Sequence, residues 1–329
     1  MSDLQVSLQD RRGNVLTPSQ LPCLGRTPTV NLTSGCAHGC LYCYGRSYSQ
    51  YPGDGVVVVY ANTADKLREE LRRKRTKPPF VYFSPSTDVF QPLESVLRLA
   101  YEMFSCLLQQ GVGVAFVTKG AIPPDHLSLL SAHPKLVRAQ IGLISHDETL
   151  LRTFEPRCAS VGVRLQQIEQ LIRAGIETEV RLDPILPGVT DSPEAFRDLL
   201  QLLKEVGVRR VALNVLYLRP IIARTLRRAR PDSDLTERLL RRYEPGIRMQ
   251  VCDDRFSQTG LPRPEREAIF GRAIEAALSF GIQCHCCGCM NPDIANGNCN
   301  LTGVWRRDAR SAAQSELLEE SDGETRQLE

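Results

Sequence analysis

From about Val30 to Leu218, short runs rich in β-branched residues alternate with longer amphipathic stretches. This alternation limits the fold more than any other feature of the chain. The strand candidates are Thr29–Leu32, Val56–Tyr60, Phe80–Ser84, Val112–Thr118, Val137–Ile144, Glu179–Ile185 and Val211–Tyr217. Between them Thr63–Arg73, Leu93–Gln110, Val163–Ala174 and Ser192–Val206 read as helices. Ser192-Pro193-Glu194 is a helix start, with a hydroxyl cap, a proline in the first turn and a carboxylate on the positive end of the dipole. Gly175 and Gly207 stand where a helix C-cap wants a left-handed residue. Strands that alternate with helices must be joined by crossovers, which makes the sheet mostly parallel, and their nearly continuous apolar character fits burial on both faces. The expected fold is α/β, a partial (β/α)6-type TIM barrel whose chemistry sits in the loops at the C-terminal ends of the strands.

The rhythm changes after Leu218. Arg219–Arg230, Leu235–Tyr243 and Pro264–Phe280 read as helices that lead into a cysteine-rich stretch. The expected organisation is an N-terminal lead over 1–22, the partial barrel over 23–220, a helical extension with a Cys-rich metal site over 221–303, and a disordered tail over 304–329. That tail is rich in Ser, Gln and Glu and poor in aromatics. No run of about 18 uncharged apolar residues exists, and the first 22 residues lack the basic and apolar regions of a secretory signal. A cytoplasmic protein with no membrane partner is therefore expected.

The chain carries 12 cysteines, and in a reducing compartment these need a reason other than disulfides. Cys23, Cys106, Cys158 and Cys252 are scattered, and Cys106 and Cys158 read as small buried core residues. The rest form two groups. The first lies in Gly35-Cys36-Ala37-His38-Gly39-Cys40-Leu41-Tyr42-Cys43-Tyr44, directly after the first strand. Three thiolates on one short loop can ligate three corners of a [4Fe–4S] cubane and leave the fourth iron open. The amino and carboxylate groups of S-adenosylmethionine (SAM) can chelate that iron, and reduction then cleaves SAM to methionine and a 5′-deoxyadenosyl radical. Gly35 and Gly39 let the backbone wrap the cluster closely. A structural zinc site would want a fourth ligand, for which His38 is available within the loop, and a redox dithiol would need only two thiols.

The second group is Cys284-His285-Cys286-Cys287-Gly288-Cys289-Met290-Asn291-Pro292-Asp293, followed by Cys299. Five thiols are one more than a closed zinc site or an auxiliary Fe–S cluster requires. The expected ligands are Cys284, Cys287, Cys289 and Cys299, a close chelating group with one distant closing thiol. A second Fe–S cluster is the leading reading and zinc the alternative, with one thiol left over for chemistry.

The chain resembles the spore photoproduct lyase-like branch of the radical SAM superfamily over residues 29–191. The resemblance rests on the first cysteine loop, on Ser86-Thr87-Asp88 with Gln91-Pro92-Leu93-Glu94, and on Val117-Thr118-Lys119-Gly120. It continues in Phe154-Glu155-Pro156-Arg157 with Arg164-Leu165, in Ala174-Gly175-Ile176, and in Pro184-Ile185-Leu186-Pro187-Gly188-Val189-Thr190-Asp191. It implies that Lys119 pairs with the SAM carboxylate, that Tyr42 lies against the adenine, and that Ser84 and Ser145 reach the ribose or amine. Asp88 becomes a substrate contact or a helix cap. An electron donor such as flavodoxin or ferredoxin is implied as a partner. The Cys-x-Cys-Met-Asn-Pro-Asp run also recurs in the branch, with lysine in place of Met290. One departure stands out. Spore photoproduct lyases carry a hydrogen-donating cysteine three residues before the Asp of a Cys-Thr-Ser-Asp motif, and that slot here is Pro85. Proline has no thiol hydrogen to give.

The expected reaction is reductive SAM cleavage followed by hydrogen abstraction from a substrate that these residues do not name. Repair or modification of nucleic acid is the second reading, supported by the basic sets Arg72-Arg73-Lys74-Arg75 and Arg219, Arg224, Arg227, Arg228 and Arg230. The net charge of only +3 adds little to it, and solvated helix faces explain such runs equally well. A non-catalytic Fe–S or zinc protein is the reading from another class, against which Lys119 and the open-site spacing argue.

Overall fold

The computed structural model describes residues 4–19, 24–229, 234–250 and 258–301. The tail over 304–329, Arg230, Cys23 and Cys252 lie outside these residues. The described chain begins with strands β1 (Gln5–Gln9), β2 (Thr17–Pro18), β3 (Pro28–Val30), β4 (Thr33–Ser34) and β5 (Val56–Tyr60). Then α1 (Thr63–Arg73), β6 (Phe80–Phe83), α2 (Glu94–Gln109), β7 (Gly113–Thr118), α3 (Pro124–Ser131) and β8 (Val137–Gly142) alternate. Helices α4 (Glu148–Phe154) and α5 (Val161–Arg173) precede β9 (Glu177–Ile185), α6 (Pro193–Glu205) and β10 (Arg210–Val215). The remainder comprises α7 (Pro220–Ala229), α8 (Asp234–Arg241), β11 (Ile247–Met249), β12 (Gln258–Gly260), α9 (Arg263–Leu278) and β13 (Gln283–His285).

The main sheet has eight strands in the order β13-β10-β9-β8-β7-β6-β3-β2. Every neighbouring pair is parallel except β2 with β3. The mostly parallel α/β architecture expected from the sequence is present, and among the described residues the edge strands β2 and β13 do not pair with each other.

Period-two alternation sorts each strand onto two faces. Val81, Phe83, Val114, Phe116, Ile141, Val180, Leu182 and Val211 join the large core beneath the helices. Helix α2 meets them with Val96, Leu99, Ala100, Met103, Phe104, Leu107 and Leu108, the stripe that a 3.6-residue period produces. Phe83 and Phe104 pack edge to face at 4.7 Å, as Phe90 and Phe116 do at 5.2 Å. The opposite, inner face is partly polar. There Leu24, Phe80, Tyr82, Ala115, Cys299 and Leu301 form a small separate cluster.

Three features differ from or add to what the sequence leads one to expect. Val56–Tyr60 is a strand, but it pairs with β1 and β4 in a separate three-stranded sheet. Only Val57 and Val59 of it are buried, a one-sided pattern unsuited to a central strand. Helices α3 and α4 were not legible as helices, since each is short and crowded by prolines or polar residues. The Cys-rich segment is not appended beyond the sheet. Through β13 it becomes an edge of the sheet, beside β10 and against α9.

Asn300 then ties this segment to the inner face. Its amide donates to the carbonyls of Ala139 (3.2 Å) and Glu177 (3.3 Å) and accepts from Gln140 Nε2 (2.9 Å), and Arg138 Nη1 donates to its carbonyl at 2.8 Å. Asn300→Ala strands buried partners on two strands, at an expected cost of about 1–3 kcal/mol. Equilibrium urea unfolding should show a lower midpoint with an unchanged slope. An unmoved midpoint would mean that this segment does not hold the sheet.

Candidate functional site

The site forms where the loop after β4 meets the C-terminal ends of β6, β7, β8 and β9. Residues 35–44 turn back on themselves at Gly35 and Gly39, whose φ values of 79° and 68° suit glycine. A Cβ on Gly39 would lie 2.8 Å from Arg157 Nη2, and one on Gly35 would lie 2.2 Å from the carbonyl oxygen of Val56. Both glycines are therefore required by close approach as well as by conformation.

A strap made of residues 154–158 fixes this loop. Leu41 N donates to Phe154 O at 2.9 Å and Arg157 N to His38 O at 3.3 Å. Arg157 Nε donates to Ala37 O, and His38 Nδ1 lies 3.2 Å from Arg157 O. The Cys158 and Cys40 sulfurs are 3.6 Å apart, and the hydrogen bond between them holds the Cys40 thiol below its ordinary pKa. Burial, and then the Asp88 carboxylate, push Cys36 well up, while burial followed by Cys40 raises Cys43.

Glu155, completely buried, is the electrostatic centre. Its Oε1 lies 3.0 Å from Lys119 Nζ and accepts from the Tyr42 hydroxyl, and its Oε2 accepts from Arg164 Nη2 at 2.5 Å. Burial alone would raise its pKa, but the Lys119 and Arg164 cations outweigh it and hold the carboxyl at about 2. Lys119 in turn donates to the carbonyl of Asp183 at 3.0 Å and lies 5.4 Å from the centre of the Tyr42 ring. Burial disfavours the ammonium, yet Glu155 reverses this and raises its pKa.

Asp88 plays a comparable part at the other side of the loop. Its Oδ1 accepts from Phe90 N (2.8 Å) and Thr118 Oγ1 (2.7 Å), its Oδ2 from Lys119 N (2.7 Å), and His38 Nε2 lies 3.1 Å from Oδ2. Burial works against both charges, but each stabilises the other, so Asp88 is lowered and His38 raised. With 5% exposure and both oxygens occupied, Asp88 clasps the loop to the end of β7.

The remaining expected residues fall as follows. Ser84 ends β6 at φ 56°, a strained conformation for a non-glycine residue, and its buried hydroxyl has no hydrogen-bond partner among the described residues. Ser145 Oγ accepts from Asp147 N at 3.0 Å and so shapes the turn into α4. The four thiols expected as a second metal set are not brought together. The alternation of β13 pairs Cys284 with Val211, on the helix-covered face, whereas Cys299 joins the inner-face cluster. Cys287 and Cys289 do meet, with sulfurs 3.1 Å apart. Among the described residues, no three His, Cys, Asp or Glu side chains gather around one point as a single ion requires. Thiolates on three different irons of a cubane need not converge in that way.

With this geometry in view, a model of the radical SAM superfamily matches residues 30–200. The chain belongs to the radical SAM superfamily. It is 32% identical over 200 residues to an uncharacterised protein of Mycobacterium tuberculosis, a match that spans 58% of this chain and 59% of that protein. It is 27% identical over 206 residues to the radical SAM Nalpha-GlyT isomerase of Pseudomonas phage M6, spanning 62% of this chain and 42% of the isomerase. Its structure is similar to spore photoproduct lyase, with a TM-score of 0.66, 16% identity, and coverage of 85% of this chain and 81% of that one. At such identity the similarity speaks for the fold.

Radical SAM membership implies a [4Fe–4S] cluster and SAM, and the residues present fit both groups. Three thiols share one loop, and Gly45 leaves a cradle in which a Cβ would stand 3.3 Å from Cys43 Sγ and 3.2 Å from Ser86 O. The orphaned Ser84 hydroxyl lies at a strand end of the same site. The sequence reading missed Glu155, although Phe154-Glu155-Pro156-Arg157 was visible as a motif. An acidic residue between two prospective cation sites was the available signal.

Glu155→Gln should leave the Arg164 and Lys119 cations buried against a neutral amide, costing about 3–5 kcal/mol in urea unfolding. The carboxylate's contribution is present above pH 4.5, its ordinary value, and is lost as pH falls through about 2. The stability gap between wild type and variant should therefore hold from neutral pH down to 4.5 and narrow below it. A gap independent of pH throughout would remove Glu155 from this role.

Proposed function

We propose that Cys36, Cys40 and Cys43 ligate three irons of a [4Fe–4S] cluster whose fourth iron receives SAM, and that the protein abstracts hydrogen from an organic substrate. The single observation that carries this reading is the cysteine loop locked by the 154–158 strap beside the Lys119 ammonium. When bound, the reduced cluster supplies the electron that cleaves SAM to methionine and a 5′-deoxyadenosyl radical.

The protein's own groups hold and shield. The Lys119 ammonium, pre-oriented by Glu155 and by the carbonyl of Asp183, receives the SAM carboxylate as a charge-assisted pair. The Tyr42 ring faces that ammonium and its hydroxyl is held by Glu155, so we assign it to orienting Lys119 in place of stacking on adenine. Ser84 offers an unused hydroxyl to SAM, and Ser145 keeps its proton available while accepting from Asp147. Asp88 is a positioning residue that keeps loop and strand end together. A low-potential protein such as flavodoxin or ferredoxin would supply the electron.

Modification of nucleic acid is a second reading. Arg219 is buried beside Tyr44 (5.7 Å) and Tyr48 (6.0 Å), just beyond the cysteine loop, and an aromatic set interleaved with cations suits a stacked base. A spore photoproduct lyase of similar fold is known in complex with a dinucleoside spore photoproduct, which agrees with it. Pro85 nevertheless supports a chemistry other than thiol-assisted dimer reversal.

Anaerobic reconstitution with iron, sulfide, dithionite and SAM should release 5′-deoxyadenosine, and the Cys36→Ala/Cys40→Ala/Cys43→Ala variant should release none. Equal release from both proteins sinks the cluster assignment. For the C-terminal thiols we propose an auxiliary Fe–S site that draws on Cys287, Cys289 and Cys299, without Cys284, which lies on the helix-covered face. Protein purified without oxygen should then hold about eight irons per chain, counting ~4 per cubane, and the triple variant about half. Roughly four irons and one zinc, with the zinc retained in the triple variant, would replace the auxiliary cluster by a structural zinc site.

A further inference from the structure

Cys158 belongs to the strap and not to the ligand loop, and it is only 4% exposed. Its backbone is held on both sides: Cys158 N donates to Glu155 O at 3.2 Å, and Arg152 Nη1 donates to Cys158 O at 2.7 Å. Ala159 N, the next residue, donates to Lys119 O at 2.9 Å. Its sulfur is thereby fixed 3.6 Å from that of Cys40, in a place closed to water.

A cysteine that ligates iron is a thiolate and has no proton to offer. Of the two sulfurs, only Cys158 can then be the donor. We propose that Cys158 donates an S–H hydrogen bond to the Cys40 sulfur and thereby raises the reduction potential of the cluster on Cys36, Cys40 and Cys43. The inference rests on the cluster assignment above. Its physical basis is charge. Reduction places one more negative charge on the irons and their sulfurs, and a donor aimed at a ligand sulfur stabilises that state more than the oxidised one. Cys158 is thus a positioning residue for the electron, acting through Cys40 and touching neither SAM nor substrate.

The experiment is an EPR-monitored potentiometric titration of the reconstituted full chain without SAM, comparing wild type with Cys158→Ala and Cys158→Ser. The alanine variant should titrate at a more negative potential. At a fixed potential its ratio of reduced to oxidised cluster should be about two- to tenfold smaller, the range that the net worth of one hydrogen bond allows. The serine variant keeps a donor and should lie closer to wild type. An alanine midpoint equal to wild type overturns the inference while the cluster assignment stands, whereas a wild-type chain that binds no cluster on this loop overturns the assignment itself. If the alanine variant does not load iron, the serine variant decides. A midpoint retained near wild type supports the donor role, and one displaced strongly negative refutes it.

Discussion

The buried carboxylate of Glu155 is the interaction on which the rest of the site depends. A lone charge of this kind would be untenable in a dry interior, and what makes it tenable is the convergence of Arg164, Lys119 and the Tyr42 hydroxyl on its two oxygens. Each partner comes from a different part of the chain: the cysteine loop, the end of β7 and α5. The same short strap that carries Glu155 also donates to, and accepts from, the backbone of the cysteine loop. Position of the loop and position of the cation are therefore a single property, set by one five-residue segment.

A second polar series runs away from Lys119 along the inner face. Asp183, whose carbonyl binds the lysine, accepts from Arg181 at 2.7 Å and from Asn214 at 2.9 Å. Asn214 accepts from Asn291 at 3.3 Å, and Asn291 accepts from the Tyr217 hydroxyl at 2.9 Å. Arg266 closes the series with two bonds to Asp293 at 3.0 and 2.5 Å. The Asn291-Pro292-Asp293 run beside the second cysteine group thus acts first as architecture. It fastens the C-terminal segment to the same strand ends that hold Lys119.

Much of this was legible in the sequence, and the parts that were not share a cause. The cysteine spacing and the βα alternation are local signals; the alternation led to the mostly parallel α/β fold, and the spacing singled out the loop at its strand ends. Thr63–Arg73 could be read to the residue because its apolar positions repeat cleanly. Glu155 was invisible as a centre because its meaning depends on three partners distant in sequence. Strand β13 is three residues long and lies among cysteines, so no alternation marked it, and with it went the fact that Cys284 and Cys299 serve different faces. Cys158 was read as an inert buried thiol. The burial is real, but the residue that it faces is Cys40, which composition could not reveal.

The origin of the last strand has a bearing on how the molecule is assembled in time. The cysteine loop is made early, while β13 and Asn300, which complete the edge of the sheet and cover part of the inner face, come from the far end of the chain. At about 5–20 residues per second, roughly 10–50 s of synthesis separate Cys43 from Gln283. Over the last part of that interval, once Arg210–Val215 has been made, β10 lacks its β13 neighbour. Completion of this sheet edge is thereby placed last by the order in which the ribosome releases the chain.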